Sequence, residues 1–126
     1  MPEPIVAVPS AGAAAPRVAA DGRSFVIKEW RGSGPAALHV HYKDDEAWHV
    51  LEGTLRFRFA DRELDAPAGS TVFVPAGVPH TYQAHGARYL IIMTPRLAAL
   101  VAELQSACES AAHAAIYHKY ESALLE

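Results

Sequence analysis

Short apolar runs with strand periodicity, separated by Gly, Pro or Asp, fill the middle of the chain. The segment TLRFRF alternates strictly, with Leu55, Phe57 and Phe59 on one side and Arg56 and Arg58 on the other. That is the pattern of a half-buried β-strand, with core on the apolar side and a solvated face carrying the two arginines. SFVIKEW, AALHVHY, EAWHVL, RELDAP, STVFVP, PHTYQAH and ARYLIIM are punctuated in the same way. Many short strands with regular turns predict an antiparallel sandwich or barrel, and the lack of interleaved helices argues against a parallel α/β sheet.

At Pro95 the period changes. Leu97, Leu100, Val101 and Leu104 recur at helical spacing behind Thr94-Pro95, an N-cap followed by proline at the first helical position. A second helix is predicted near 109–125, with Ala112, Ala115, Ile116, Tyr120 and Leu124 as its apolar stripe. His113 and His118 on that helix read as surface or structural residues. Residues 1–22, rich in Ala and Pro, read as an irregular arm whose Ile5-Val6-Ala7-Val8 piece is apolar enough to add to a sheet edge. The organisation expected is therefore one domain over 1–126: arm 1–22, β-barrel 24–93 and helices 95–125.

The candidate chemistry lies in HVHYKDDEAWHVLEG, 39–53. Successive strand side chains alternate faces, so His39 and His41 share one face and Val40 takes the other. Lys43-Asp44-Asp45 is a polar turn candidate that would fold Glu46 back toward the two histidines. His80 ends a second Pro/Gly-punctuated segment, GSTVFVPAGVPH. Three imidazoles and one carboxylate suit a divalent transition metal, with Fe, Mn, Ni, Cu, Co and Zn all conceivable. By alternation Trp48 and Val50 share the Glu46 face and Tyr82 shares the His80 face, while Tyr89, Ile91 and Met93 form one face of the last strand. Trp48, Val50, Tyr82, Tyr89 and Met93 are thus the candidate substrate pocket, and His49 faces away. Asp44 and Asp45 read as solvated turn acids, and Glu46 as a possible acid or base besides its ligand role.

These residues resemble the two motifs of the cupin superfamily. His39, His41, Glu46 and Gly53 match the first, with four and six residues between the last three, and Gly69, Pro75, Gly77 and His80 match the second. Two positions depart from it: Gly32 and Gly34 flank the place where the first motif has its glycine, and Ala84 stands where an Asn often closes the second. The resemblance spans roughly 24–93. It implies an all-β fold, a double-stranded β-helix (jelly-roll) barrel with the two C-terminal α-helices appended, one metal held by His39, His41, Glu46 and His80, and a homodimer.

Composition narrows the partners. A net charge of −3 and pI near 6.1 lack the Lys/Arg density that nucleic acid requires. No apolar run is long enough for a membrane span, and no secretory leader is evident. The single cysteine, Cys108, excludes an internal disulfide framework and fits a cytoplasmic location. The family resemblance implies a small-molecule partner. The expected function is a metal-dependent oxidoreductase of dioxygenase type acting on a small chelating substrate. The competing readings are a metal-dependent isomerase, decarboxylase or lyase, and a non-catalytic ligand-binding module.

Overall fold

The computed structural model describes residues 3–6, 18–107 and 109–126. Its strands are β1 (Ala19–Asp21), β2 (Val26–Arg31), β3 (His39–His41), β4 (Glu46–Phe59), β5 (Glu63–Pro67), β6 (Thr71–Val74), β7 (His80–Met93) and β8 (Ser122–Leu124). The helices are α1 (Pro95–Ser106) and α2 (His113–Lys119), with a 3₁₀ turn at Ser110–Ala112 before α2. All pairings are antiparallel: β1-β2-β7-β3-β8 in order, with β4 joining β7 to β5 and β6. This is the predicted all-β jelly-roll barrel.

Four runs that read as separate strands merge into two. EAWHVL and TLRFRF are one continuous β4, and PHTYQAH and ARYLIIM one continuous β7, paired along their length with register shifts between Val50 and Thr54. At that irregularity both strands change the parity of their inward side chains. In β4 the buried positions pass from Glu46, Trp48 and Val50 to Leu55 and Phe57; in β7 they pass from His80 and Tyr82 to Ala87, Tyr89, Ile91 and Met93. An inserted residue in a strand has this effect, and it bends the sheet. Gly53 (φ 69°) and Gly86 (φ 61°) sit at the bend, where a Cβ on Gly53 would lie 2.3 Å from the Gly86 carbonyl oxygen. A side chain at Gly53 therefore meets both a left-handed backbone and a neighbouring strand. Gly53→Ala is expected to cost about 2–4 kcal/mol and lower Tm by about 10 °C in thermal denaturation.

The α1 expectation is met in detail. Thr94 Oγ1 accepts a hydrogen bond from the Leu97 N–H at 3.2 Å, Pro95 opens the helix, and Leu97 and Leu100 are buried. Such a cap contributes about 1 kcal/mol. The expected second helix, however, is cut short. Its helical part is only His113–Lys119, Tyr117 is its buried residue, and Ala112 and Ala115 are exposed. Glu121 adopts φ 57°, which stops the helix, and Ser122–Leu124 then forms β8 against β3.

The arm also differs from its reading. Ala19–Asp21 is a strand on the edge of β2, whereas Ile5 and Val6 are exposed and outside any strand. Ala7, Val8 and Cys108 lie outside the described residues. Arg56 and Arg58 are held by acids of the chain itself, Arg56 by Asp65 and Glu63 and Arg58 by Glu126. Among the described residues no helix is long and apolar enough to cross a membrane.

Candidate metal centre

Three imidazoles meet inside the barrel. His39 and His41 come from one face of β3, and His80 opens β7 directly opposite His39. All three are buried, and one ligand atom from each lies within 4.8 Å of the others. The Pro75–Gly77 turn locks this arrangement, with Gly77 (φ 89°) donating its N–H to the His41 carbonyl at 2.8 Å.

Hydrogen bonds fix which nitrogen of each ring faces inward. His39 Nδ1–H donates to the Ala37 carbonyl at 3.1 Å and His80 Nδ1–H to the Val78 carbonyl at 2.9 Å. A carbonyl only accepts, so each Nδ1 carries the proton. His41 Nδ1 lies 2.7 Å from Ser122 Oγ, whose own proton goes to the Tyr120 carbonyl at 3.3 Å. Ser122 therefore accepts, and His41 has the same tautomer. Each Nε2 is left to face the centre. Glu46 Oε1 lies there too, 3.3 Å from His41 Nε2 and 3.2 Å from His80 Nε2.

Lone pairs and a carboxylate converging in a buried space repel one another unless a cation or shared protons sit among them. This donor set fits a divalent metal ion. The electrostatics agree. Burial pushes the Glu46 carboxyl up, yet His41 and His80, when protons shared on Nε2 stand in the place of an ion and are donated to Oε1, outweigh it and hold the group down at about 2. Burial, assisted by His80 and His41, lowers the His39 imidazole to about 3, so it is neutral and able to ligate at pH 7.

Ser122 was not legible as a site residue, because its segment read as helix. Losing such an outer hydrogen bond typically costs ten- to a hundredfold in metal affinity. Ser122→Ala is expected to weaken metal binding by about that factor in a chelator competition, with the His41 ring no longer fixed.

A cavity of ≈ 620 Å³ opens from His39, His41 and Glu46. Trp48 and Tyr82 line it as expected from alternation, and so does Ile91. Val50, Tyr89 and Met93 do not: they are packed in the core. The reason is local. Val50 pairs with Tyr89 at the bend, and Met93 is enclosed between Val26 of β2 and Glu46 of β4. The Tyr89 hydroxyl is engaged by the Gly32 carbonyl at 2.5 Å and the Tyr82 hydroxyl at 3.1 Å.

The remaining wall comes from segments given no site role. Leu97, Leu100 and Leu104 of α1 line it, as do His113 and Tyr117 of α2. The Tyr117 ring stands 5.5 Å from His39 and is stacked at 6.5 Å on His41. Burial pushes its hydroxyl well above the ordinary tyrosine range, so it stays protonated. His113 is thus a cavity residue, whereas His118 is exposed. His49 faces outward and bonds Thr71 Oγ1 at 2.8 Å. Asp44 differs from its expected solvated state: it is buried, with Arg96 Nε 3.4 Å away, because α1 carries that arginine over the turn. Asp45 is exposed and accepts the Ala76 N–H at 2.9 Å.

The described residues lining the cavity include the carboxylates of Glu46 and Glu126 but no lysine or arginine. Glu126 is already paired, with Arg58 at 2.6 Å and the Leu38 N–H at 2.8 Å. The space is therefore largely apolar and aromatic, with the candidate metal ligands at one place on the wall.

Comparison with known proteins gives one family. The model described as Cupin domain matches residues 21–94. Among solved structures, a cupin-2 domain containing protein from Shewanella frigidimarina is 28% identical at TM-score 0.50, covering 64% of this chain and 79% of the other. KdgF from Halomonas sp. is 17% identical at TM-score 0.52, covering 63% and 78%. The polyketide cyclase RemF from Streptomyces resistomycificus is 25% identical at TM-score 0.50; the match covers 58% of this chain and only 56% of RemF. No curated protein matches the sequence.

Proposed function

Since the chain belongs to the cupin family, we propose that it is a metal-dependent enzyme of dioxygenase type, acting on a small, uncharged, aromatic or enolisable compound that chelates the metal. His39, His41 and His80 would hold the ion through Nε2, with Glu46 as fourth ligand. The observation that carries this reading is the cavity wall. Aromatic and aliphatic side chains surround the histidine cluster, and no Lys or Arg is present among the described lining residues to grip a carboxylate or phosphate. A volume of ≈ 620 Å³ falls in the range that holds a small organic ligand, about 300–1,000 Å³.

A bound redox-active ion such as iron, nickel or copper would supply open coordination positions and electron transfer to dioxygen. The protein's own contribution is to orient and to exclude water. Trp48, Tyr82 and Tyr117 offer flat surfaces for a ring. Glu46, ionised at pH 7, would accept rather than donate a proton if it leaves the metal.

The test is to load the protein with iron, nickel or copper, add candidate chelating substrates anaerobically, and then admit oxygen. Oxygen uptake that tracks substrate loss is expected. Absence of uptake with every metal and chelating substrate would overturn the dioxygenase reading. A second reading, an oxygen-independent cyclase or isomerase with the metal as Lewis acid, is favoured by the likeness to a polyketide cyclase. Turnover unchanged by removing oxygen would select it.

A further inference from the structure

His113 places a polar ring nitrogen without a partner in a largely apolar wall. Its Nε2 is buried and meets no hydrogen-bond partner among the described residues, and the residue lines the cavity. A buried unsatisfied ring nitrogen is costly, and a hydrogen-bonding group brought in from outside the chain relieves that cost. His113 also stands four residues before Tyr117, on the same face of α2. The two are therefore offset by about 6 Å along the helix. Tyr117 packs beside His39 and His41, so α2 carries a polar group one helical turn along from the metal-binding end.

Trp48 Nε1 is the wall's other buried polar atom without a partner among the described residues, and it lies at the histidine end, its ring 5.6 Å from that of His80. Two further groups are already committed. The Tyr82 hydroxyl is bonded to Tyr89, and the Glu126 carboxylate is held by Arg58 and Leu38. The helix is itself held in place, since Glu103 of α1 takes hydrogen bonds from Lys119 Nζ at 2.6 Å and the Tyr120 hydroxyl at 2.5 Å.

We propose that His113 is a specificity residue: it hydrogen-bonds a second polar group, a hydroxyl or carbonyl, on a ligand whose first polar group chelates the metal held by the histidine cluster. The ligand class is a small aromatic compound with polar groups at both ends and an apolar middle. The inference rests on the chelate reading above and adds the second anchor.

The test uses the zinc-loaded protein, which is redox-silent, and two probes that differ by one hydroxyl, 4-ethylcatechol and 4-(2-hydroxyethyl)catechol. Binding is followed by the fluorescence of Trp30 and Trp48, which line the cavity. The wild type is expected to prefer the hydroxyethyl probe about five- to tenfold, in line with one buried hydrogen bond. His113→Ala is expected to bring that preference to about one while leaving 4-ethylcatechol affinity within about twofold, and His113→Gln, which can still hydrogen-bond, to retain part of it. A helix residue with only a structural role would shift both probes together. Equal binding of the two probes by the wild type, or a preference that survives in His113→Ala, overturns the role of His113 and leaves the chelate reading intact. Binding of neither probe overturns the chelate reading and this inference with it.

Discussion

His80→Ala is expected to weaken binding of a divalent transition metal by about two orders of magnitude, measured as Kd by chelator competition and as metal content after dialysis. Four-ligand zinc sites bind with apparent free energies of about 10–16 kcal/mol, roughly 3 kcal/mol per ligand, which is about a hundredfold in Kd. His80 is the right residue to remove because it is the junction of the cluster. It faces His39 across β3 and β7, approaches Glu46 Oε1 at 3.2 Å and packs at 4.5 Å from the His39 ring. His49→Ala is the control. That ring sits on the outer face against Thr71, so its loss is expected to leave Kd within about twofold. Circular dichroism distinguishes a lost ligand from a lost fold. A well-folded His80→Ala protein that keeps wild-type Kd would place the metal elsewhere.

How far the site was legible follows from where its residues lie. His39, His41, Glu46 and His80 are fixed by strand alternation and short turns, which are local and periodic. The pocket walls needed the parity change at Gly53 and Gly86. Two glycines in separate segments gave no sign that they abut in one bend. That is why Val50 and Tyr89 read as pocket residues and are packed in the core instead.

The C-terminal segment failed for a different reason. AIYHKYESALLE has good helix formers and an apolar stripe, but propensity is a weak prior against an open sheet edge. The backbone groups of β3 lie beside this segment. Leu125 donates its N–H to the Leu38 carbonyl, and Tyr42 donates to the Glu121 carbonyl. The strand satisfies that edge where a longer helix would have left it bare. The same docking brings Ser122 to His41 and sets α2, with His113 and Tyr117, over the cavity. Residues 21–94, the part matched by the family model, thus hold the four candidate ligands, and the chain after Met93 supplies much of the wall that would choose the substrate.

The metal-free protein is expected to lose stability steadily as pH falls from about 6.5 to 3. Burial holds the folded His39 imidazole at about 3 against an ordinary 6.5. Between those values the unfolded chain binds a proton that the folded chain does not, so stability drops by about 1.4 kcal/mol per pH unit. Glu46, held at about 2 against 4.5, acts with the same sign. Its contribution is full above 4.5 and is lost as pH falls toward 2, so the loss steepens once both groups titrate in the unfolded chain. By pH 4 the two groups together remove about 4 kcal/mol, most of the stability of a domain at the lower end of the usual range of about 5–15 kcal/mol. Urea denaturation of the metal-free protein at pH 7, 6, 5 and 4 measures the slope, and His39→Gln, with no titrating ring, is expected to flatten it between 6.5 and 4.5. If wild type and His39→Gln follow the same curve, His39 is not held neutral by burial, and its readiness to ligate a metal at pH 7 must come from some other cause.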